Sequence, residues 1–318
     1  MEPEKSYIYQ IYLDGSFSRA AEHLYMSQPA LSLSVKKTED ALGVPLFDRS
    51  HRPLRLTQAG EAYIASLKEI METERDIGRK IADIRDAEAG LIRIGGTHFL
   101  NAYILPEVLS GFCSLHPRVE IELVEHGSGK LAEMLATKDI DLTLNCNPAV
   151  IPLYEHYPAF RDSVVLAVHR LHPLNAGLES AAFTARDILA GKHLKPGRKA
   201  VPVSCFREME FLLLAPGNNL RERCLAMFGE AGLEPRARAT LTQMVTAYRL
   251  AQSNYAPAFV SDRLVREEDS ELLFYVVRSD QIRRLFYLLL PRRSYTAAAA
   301  RAFVRYAQQA FKEEEIKT

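Results

Sequence analysis

The sequence predicts an α/β protein preceded by a small helical domain, and three observations carry that prediction. Residues 1 to about 57 hold short helical patterns with tight connections. Residues 58 to about 88 read as one long amphipathic helix. From residue 91 to 318 strand-like and helix-like segments alternate, the pattern of parallel α/β sheets. At 318 residues the chain exceeds one ordinary core, and two or three domains are the default.

Composition bounds the function classes. The chain is 47% hydrophobic and 25% charged with no low-complexity tract, which is globular. Forty basic residues balance forty acidic ones, so only local clustering can point to nucleic acid. The four cysteines (Cys113, Cys146, Cys205 and Cys224) form no C-x-x-C pair and no zinc-finger spacing, the usage of free thiols in a reducing compartment. No secretory apolar region and no run of 18 apolar residues occurs; a cytoplasmic protein without a membrane partner is expected.

The first helical pair is read from "SFSRAAEHLYMSQPALS". Phe17, Ala20, Ala21 and Leu24 share one face, and the two alanines let another helix approach closely. Ser27 is an N-cap candidate and Pro29 falls in the first turn of the next helix, where its missing N–H costs nothing. Ala30, Leu31, Val35 and Leu42 are expected to continue the inward face. Gln28 is thereby held at an exposed helix N-terminus. That is the geometry of a recognition helix: a glutamine amide can pair bidentately with adenine, and a proline ring can meet a thymine methyl. Lys36 and Lys37 follow within phosphate reach. Arg49, His51, Arg52 and Arg55 then crowd seven positions around Pro53, a basic wing. Residues 1 to 57 carry seven Lys/Arg and seven Asp/Glu, so the footprint is a cluster rather than a basic domain.

Thr57 is a plausible N-cap for the long helix. Tyr63, Leu67, Ile70, Ile77, Ile81 and Ile84 follow at a/d spacing, interrupted by Glu74, a seam that needs a partner. At 1.5 Å per residue the helix runs roughly 45 Å. Pairing with a second copy is the expected cover, and packing on the chain's own body the alternative.

Beyond Gly90, "LIRIGG", "VEIELVEHG", "DSVVLAVHR", "MEFLLLAPG", "APAFVSD" and "RRLFYLLLP" read as strands. "YILPEVLSGFCSLHP", "LRERCLAMFGEAG", "QMVTAYRLAQ" and "TAAAARAFVRYAQQAF" read as helices, and "GKLAEMLATKDIDLTL" as helix then strand. Ligands of such folds bind beyond strand carboxyl ends. Gly96, Thr97, His98 and Asn101 follow one strand, Ser128 the next, and Asn218 and Asn219 a third, with Arg221 close behind them. Thr246 is placed on the opposite wall. Polar groups at helix N-termini suit an anion or a polar ligand group.

At this point "GSFSRAAEHLYMSQPALS" and "LGVPLFDRSHRPLRLTQAGEAY" resemble the DNA-binding domain of LysR-type transcriptional regulators, almost without gaps over about residues 7 to 63. "IRIGGTHFLNAYILP", "FREMEFLLLAPGNNLRERC" and "QMVTAYRLAQSNYAPAFVSD" resemble the family's effector domain. The resemblance implies a winged helix-turn-helix over 1–57, a dimerising linker helix over 58–89, and a periplasmic-binding-protein-like (type 2) effector domain over 90–318. Lobe 1 would take about 90–160 and 268–318, and lobe 2 about 161–267. It further implies a double-stranded DNA operator, a small inducer between the lobes, self-association to dimers and tetramers, contact with RNA polymerase, and no cofactor. Ser27, Gln28, Pro29 and Ser32 fall on groove-contacting positions, and Arg49 and Arg52 on wing positions.

The departures are specific. Leu33 stands where arginine is frequent and Thr38 where leucine is. Phe99 takes the register of a ligand-binding Ser or Thr, and Asn254-Tyr255-Ala256 replaces Gly-x-Gly. A different operator preference or weaker discrimination is expected, and a small or partly aromatic ligand held differently from relatives'. Enzymatic readings fail on residues. "GSGK" has Val124 where a P-loop needs glycine and Leu131 where it needs a hydroxyl. No G-x-S-x-G elbow exists, and "HRLH" lacks metal-ligand spacing. A Cys205–Cys224 redox switch, or constitutive DNA binding with a vestigial cleft, are the alternatives within the fold.

Overall fold

The computed structural model describes residues 3–51, 54–85, 89–292 and 295–317, without the side chains of 72, 75, 79, 82–85 and 314–317. The chain divides into two compact units, one ending at Ile81 and one beginning at Ala82.

The first unit opens with α1 (Pro3–Asp14), α2 (Phe17–His23) and α3 (Gln28–Leu42). Ser16 and Ser27 cap α2 and α3, accepting from the N–H groups of Arg19 and Ala30, as N-cap serines do. Gly43 closes α3 at φ +71°, a left-handed cap that favours glycine. Two short antiparallel strands follow, β1 (Phe47–Asp48) and β2 (Arg55–Leu56). They are the wing. The core joins Ile8 and Ile11 of α1, Ala20 and Ala21 of α2, and Leu31 and Val35 of α3. Ala30 and Leu42, expected to face inward, are exposed; Ala30 lies about 100° around the helix from Leu31, and Leu42 ends the last turn.

The long helix is α4 (Gln58–Arg85). Thr57 Oγ1 accepts from the Gly60 N–H at 3.0 Å, so Thr57 caps it. Its first turns belong to the first unit. Ile64 and Leu67 are buried in that core, Tyr63 and Met71 pack against it, and Lys68 Nζ reaches Tyr12 Oη at 3.3 Å. Tyr63 and Leu67 therefore already have a partner within their own unit, unlike the free seam the spacing suggested. Ile70, Ile77 and Ile81 are exposed. The Ile84 side chain lies outside the described residues.

The second unit carries β3 (Gly90–Gly96), a π-helical turn (Leu100–Ile104), α5 (Leu105–Leu115), β4 (Val119–Glu125), α6 (Ser128–Ala136) and β5 (Leu142–Asn145). Next come β6 (Glu155–His169), α7 (Ala185–Leu189), β7 (Ala200–Val201), β8 (Glu210–Leu214) and α8 (Asn219–Gly229). The chain then forms β9 (Arg236–Leu241), α9 (Met244–Gln252), β10 (Ala258–Ser261), β11 (Leu272–Val277), β12 (Arg283–Leu290) and α10 (Ala298–Lys317).

The sheet runs β4-β3-β5-β12-β6-β10-β8-β9, with β11 on β6 and β7 on β11. The expectation of parallel sheets is corrected. β3 is parallel to β4 and β5, and β8 to β9 and β10, but β6 is antiparallel to β10, β11 and β12. The 15-residue β6 is why. Its first part, to Ser163, pairs with β12, and from Val164 onward it pairs with β10 and β11, so one strand serves both lobes. Because β11 pairs with β6 and β7, the return to lobe 1 falls between β11 and β12 rather than near residue 268.

Candidate DNA-binding face and ligand cavity

Ser27, the cap of α3, is exposed, as are Gln28, Pro29 and Lys36 on the helix, and Leu33 stands out between them. Ser32 is half-buried. Arg49 follows β1 and turns back to α3: Nη1 donates to Ser32 Oγ at 3.1 Å and Nη2 lies 3.4 Å from Glu39 Oε2. Its guanidinium also covers the Phe17 ring at 4.7 Å. Glu39 Oε1 accepts from the Leu46 N–H at 2.7 Å and the Phe47 N–H at 3.3 Å, so one carboxylate fixes both wing and arginine. Arg55 is exposed on β2. Arg52 and Pro53 lie outside the described residues.

Between the two lobes lies a cavity of about 280 Å³, at the small end of ligand pockets. Of the residues read as a cleft from the sequence, Thr97, His98, Phe99, Ser128, Asn218 and Asn219 line it. Gly96, Asn101 and Thr246 do not. Asn101 Nδ2 donates to the Gly96 carbonyl at 3.3 Å, and a Cβ on Gly96 would meet Asn101 Oδ1 at 1.9 Å, so these two brace the β3 exit. Thr246 sits on the exposed face of α9, and Thr242, Gln243 and Met244 at that helix's start supply the wall instead.

Three helices aim their N-termini at this space, through Gly127–Ser128, Asn218–Asn219 and Gln243–Met244. The Asn218 side chain caps the Leu220 N–H, but neither Gly127 nor Gln243 gives a side-chain cap. Each terminus carries roughly half a positive charge. Phe99 leads into the π-helical turn, a feature frequent at functional sites.

The floor holds what sequence reading missed. Arg284 and Cys146 line the cavity. Arg284 is the Cα partner of Asp162 across β12 and β6, and its Nε donates to Asp162 Oδ1 at 2.7 Å while Nη2 donates to Oδ2. Burial opposes the Arg284 charge, but Asp162 beside it holds the guanidinium above its ordinary pKa. Cys146 Sγ contacts Asn219 Oδ1 at 3.2 Å, linking lobe 1 to lobe 2. Burial pushes the Cys146 thiol up to about 11 and Cys224 to about 12. Arg284 is the second of two arginines at the start of the apolar strand "RRLFYLLLP", and Asp162 follows Arg161 in "FRDSVVLAVH"; neither suggests a pair without the register. Among the described residues no group of three or more His, Cys, Asp or Glu could hold a metal ion, and no helix is long and apolar enough to cross a membrane.

A winged helix-turn-helix followed by two lobes around a cavity defines a DNA-binding regulator. Residues 6–61 match the family described as bacterial regulatory helix-turn-helix protein, lysR family, and residues 85–312 match the LysR substrate binding domain. The chain belongs to the LysR family of transcriptional regulators. It is 28% identical over 298 residues to the HTH-type transcriptional regulator YcgK of Bacillus subtilis, covering 94% of this chain and 91% of that one. It is also 28% identical to the RuBisCO operon transcriptional regulator of Acidithiobacillus ferrooxidans, covering 92% and 88%. Full-length CbnR complexed with its target DNA shares the fold at TM-score 0.63 and 20% identity, covering 98% of this chain and 100% of that one. A full-length OxyR variant from Pseudomonas aeruginosa does so at TM-score 0.63 and 19% identity, covering 96% of each.

Proposed function

We propose that this regulator reads an operator through the N-terminal turn of α3 and changes its DNA binding when a small molecule occupies the interlobe cavity. The observation that carries the reading is a preformed cavity whose walls come from both lobes. Ser27, Gln28, Pro29, Ser32 and Lys36 are the proposed groove and phosphate contacts of α3, with Arg49, Arg52 and Arg55 on the wing. Among the described residues Lys36 and Arg55 have no carboxylate partner, so their charge is open to phosphate. Ile70, Ile77, Ile81 and Ile84 are proposed to pair with a second copy, with assembly to tetramers and contact with RNA polymerase following the family pattern.

The redox alternative is disfavoured by the thiols. Cys224 is buried, with its thiol well above the ordinary range, and a protonated thiol is a poor nucleophile. The test is selection of bound sequences from a random duplex library by the full-length protein, with and without a metabolite extract. An enriched half-site whose recovery changes with the extract supports the proposal. No enriched sequence sinks the DNA reading, and an enriched sequence indifferent to every extract supports constitutive binding instead.

A further inference from the structure

We propose that Arg284 anchors the ligand of the interlobe cavity, that the ligand is a small organic carboxylate, and that its binding is felt at the lobe junction through Asp162. The inference rests on the reading of this cavity as the effector site and names its chemistry.

Arg284 presents a charge in a place that otherwise excludes it. Its side chain is 5% exposed, yet it lines the cavity. Asp162 takes Nε and Nη2, and among the described residues nothing pairs with Nη1. A guanidinium is a rigid fork, so this side-on grip leaves its other edge for a further acceptor. The uncapped starts of α6 and α9 and the start of α8 face the same space. Orphan N–H groups and an arginine edge together favour an anion. The opposing carboxylate is Glu125, which also lines the cavity but is 45% exposed and lies 3.2 Å from His98. Phe99, Leu100, Leu144 and Phe286 supply apolar walls for the ligand's body.

The coupling runs through Asp162. It lies on β6 just before that strand leaves β12 for β10. Its Oδ2 also accepts from Ser261 Oγ at 2.6 Å, at the end of β10, and the next residue, Ser163, donates its N–H to Asp262 Oδ1 at 3.0 Å. A ligand carboxylate sharing Arg284 weakens the hold on Asp162, and Asp162 is tied to lobe 2. Cavity occupancy and lobe angle therefore share one ion pair.

The test uses the full-length protein and three acid–amide pairs at matched ionic strength: benzoate and benzamide, succinate and succinamide, hexanoate and hexanamide. The melting temperature is followed against concentration. At least one acid is expected to raise it saturably, its amide requiring at least tenfold more. The double variant D162N/R284Q removes both charges together and should weaken the acid at least tenfold. D162N alone removes the competitor and should tighten the acid several-fold, an opposite sign that a merely structural role would not give. Should the double variant fail to fold, R284K, which keeps the charge and loses the fork, should bind at least threefold more weakly. No shift by any acid, equal shifts by acid and amide, or wild-type affinity in D162N/R284Q or R284K would overturn the proposal. An amide that stabilises the wild type and loses its effect in Ser128→Trp would keep the cavity as the ligand site and remove only the carboxylate.

Discussion

Arg49 and Ser32 are joined at 3.1 Å, which ties the wing to the N-terminal half of α3. The same guanidinium lies 3.4 Å from Glu39, so its charge is shared with the protein before DNA arrives. Replacing Glu39 by Gln keeps an acceptor for the Leu46 N–H and releases that charge. DNA affinity should rise, and the slope of log Kobs against log salt should steepen by up to about 0.9. Anisotropy across a salt series measures it. An unchanged slope would mean that Arg49 does not reach phosphate.

Leu33 is 58% exposed on the same helix. Leu33→Arg should leave stability within about 0.5 kcal/mol, as for other surface changes. It should shift the selected half-site toward guanine, because a bidentate arginine–guanine pair discriminates by about 1–3 kcal/mol. Library selection with both proteins shows the shift, or shows that Leu33 does not face bases.

Gly60 sits where α4 starts against the wing. A Cβ there would meet the Leu46 carbonyl oxygen at 2.0 Å, and that oxygen already accepts from the Thr57 N–H at 3.0 Å. Backbone cannot move aside as a flexible side chain can. Gly60→Ala should therefore destabilise the first unit by about 1–3 kcal/mol and weaken DNA binding with it. Thermal and urea unfolding test this, and wild-type stability would refute the packing assigned to this junction.

The buried ion pair predicts an asymmetry. Arg284→Ala strands Asp162 and should destabilise the second unit by about 3–5 kcal/mol, whereas replacing both partners by apolar residues of similar volume should cost far less or nothing. Denaturant unfolding of the single and double variants distinguishes the two. Equal losses would mean that the pair is not buried in solution.

The thiols give a chemical and a pH prediction. Cys113 and Cys205 are exposed while Cys146 and Cys224 are buried, so a thiol reagent at neutral pH should titrate two groups natively and four after denaturation. Burial raises Cys146 from 9.0 to about 11 and Cys224 from 9.0 to about 12. The folded state thus holds these protons more tightly than the unfolded one. The associated stability is intact below pH 9.0 and is lost as pH climbs through about 11 to 12. Cys224→Ala should flatten that alkaline limb.

Local patterns explain what sequence could show. Ser27 and Pro29 announced the start of α3 because capping is a short-range property, and the strands from "LIRIGG" to "RRLFYLLLP" were visible as apolar runs. The strands β7, β9 and β11 were not anticipated, and the wing was expected as a basic extended segment, not as a strand pair. The two wing strands are two residues each, and β9 is largely exposed, so neither carries a strong apolar period. The antiparallel placement of β6 depends on partners more than 90 residues away, which no local window contains. The cavity divided the same way. Thr97 and Asn218 follow strand ends and were visible, whereas Arg284 and Asp162 become a pair only through register. Leu67 fits the heptad spacing equally well whether it faces a second copy or α1; only the packing of the first unit decided it.

The central claim is that the α3 N-terminus reads sequence. Its most direct test is fluorescence anisotropy of the purified protein on DNA from upstream of its own gene and on random DNA, titrated with salt, for wild type and Gln28→Ala. The account predicts tight wild-type binding to the upstream DNA over random DNA, with that preference selectively lost in Gln28→Ala while the shared phosphate-driven binding persists. Equal, weak and strongly salt-dependent binding of both proteins to both DNAs would contradict it.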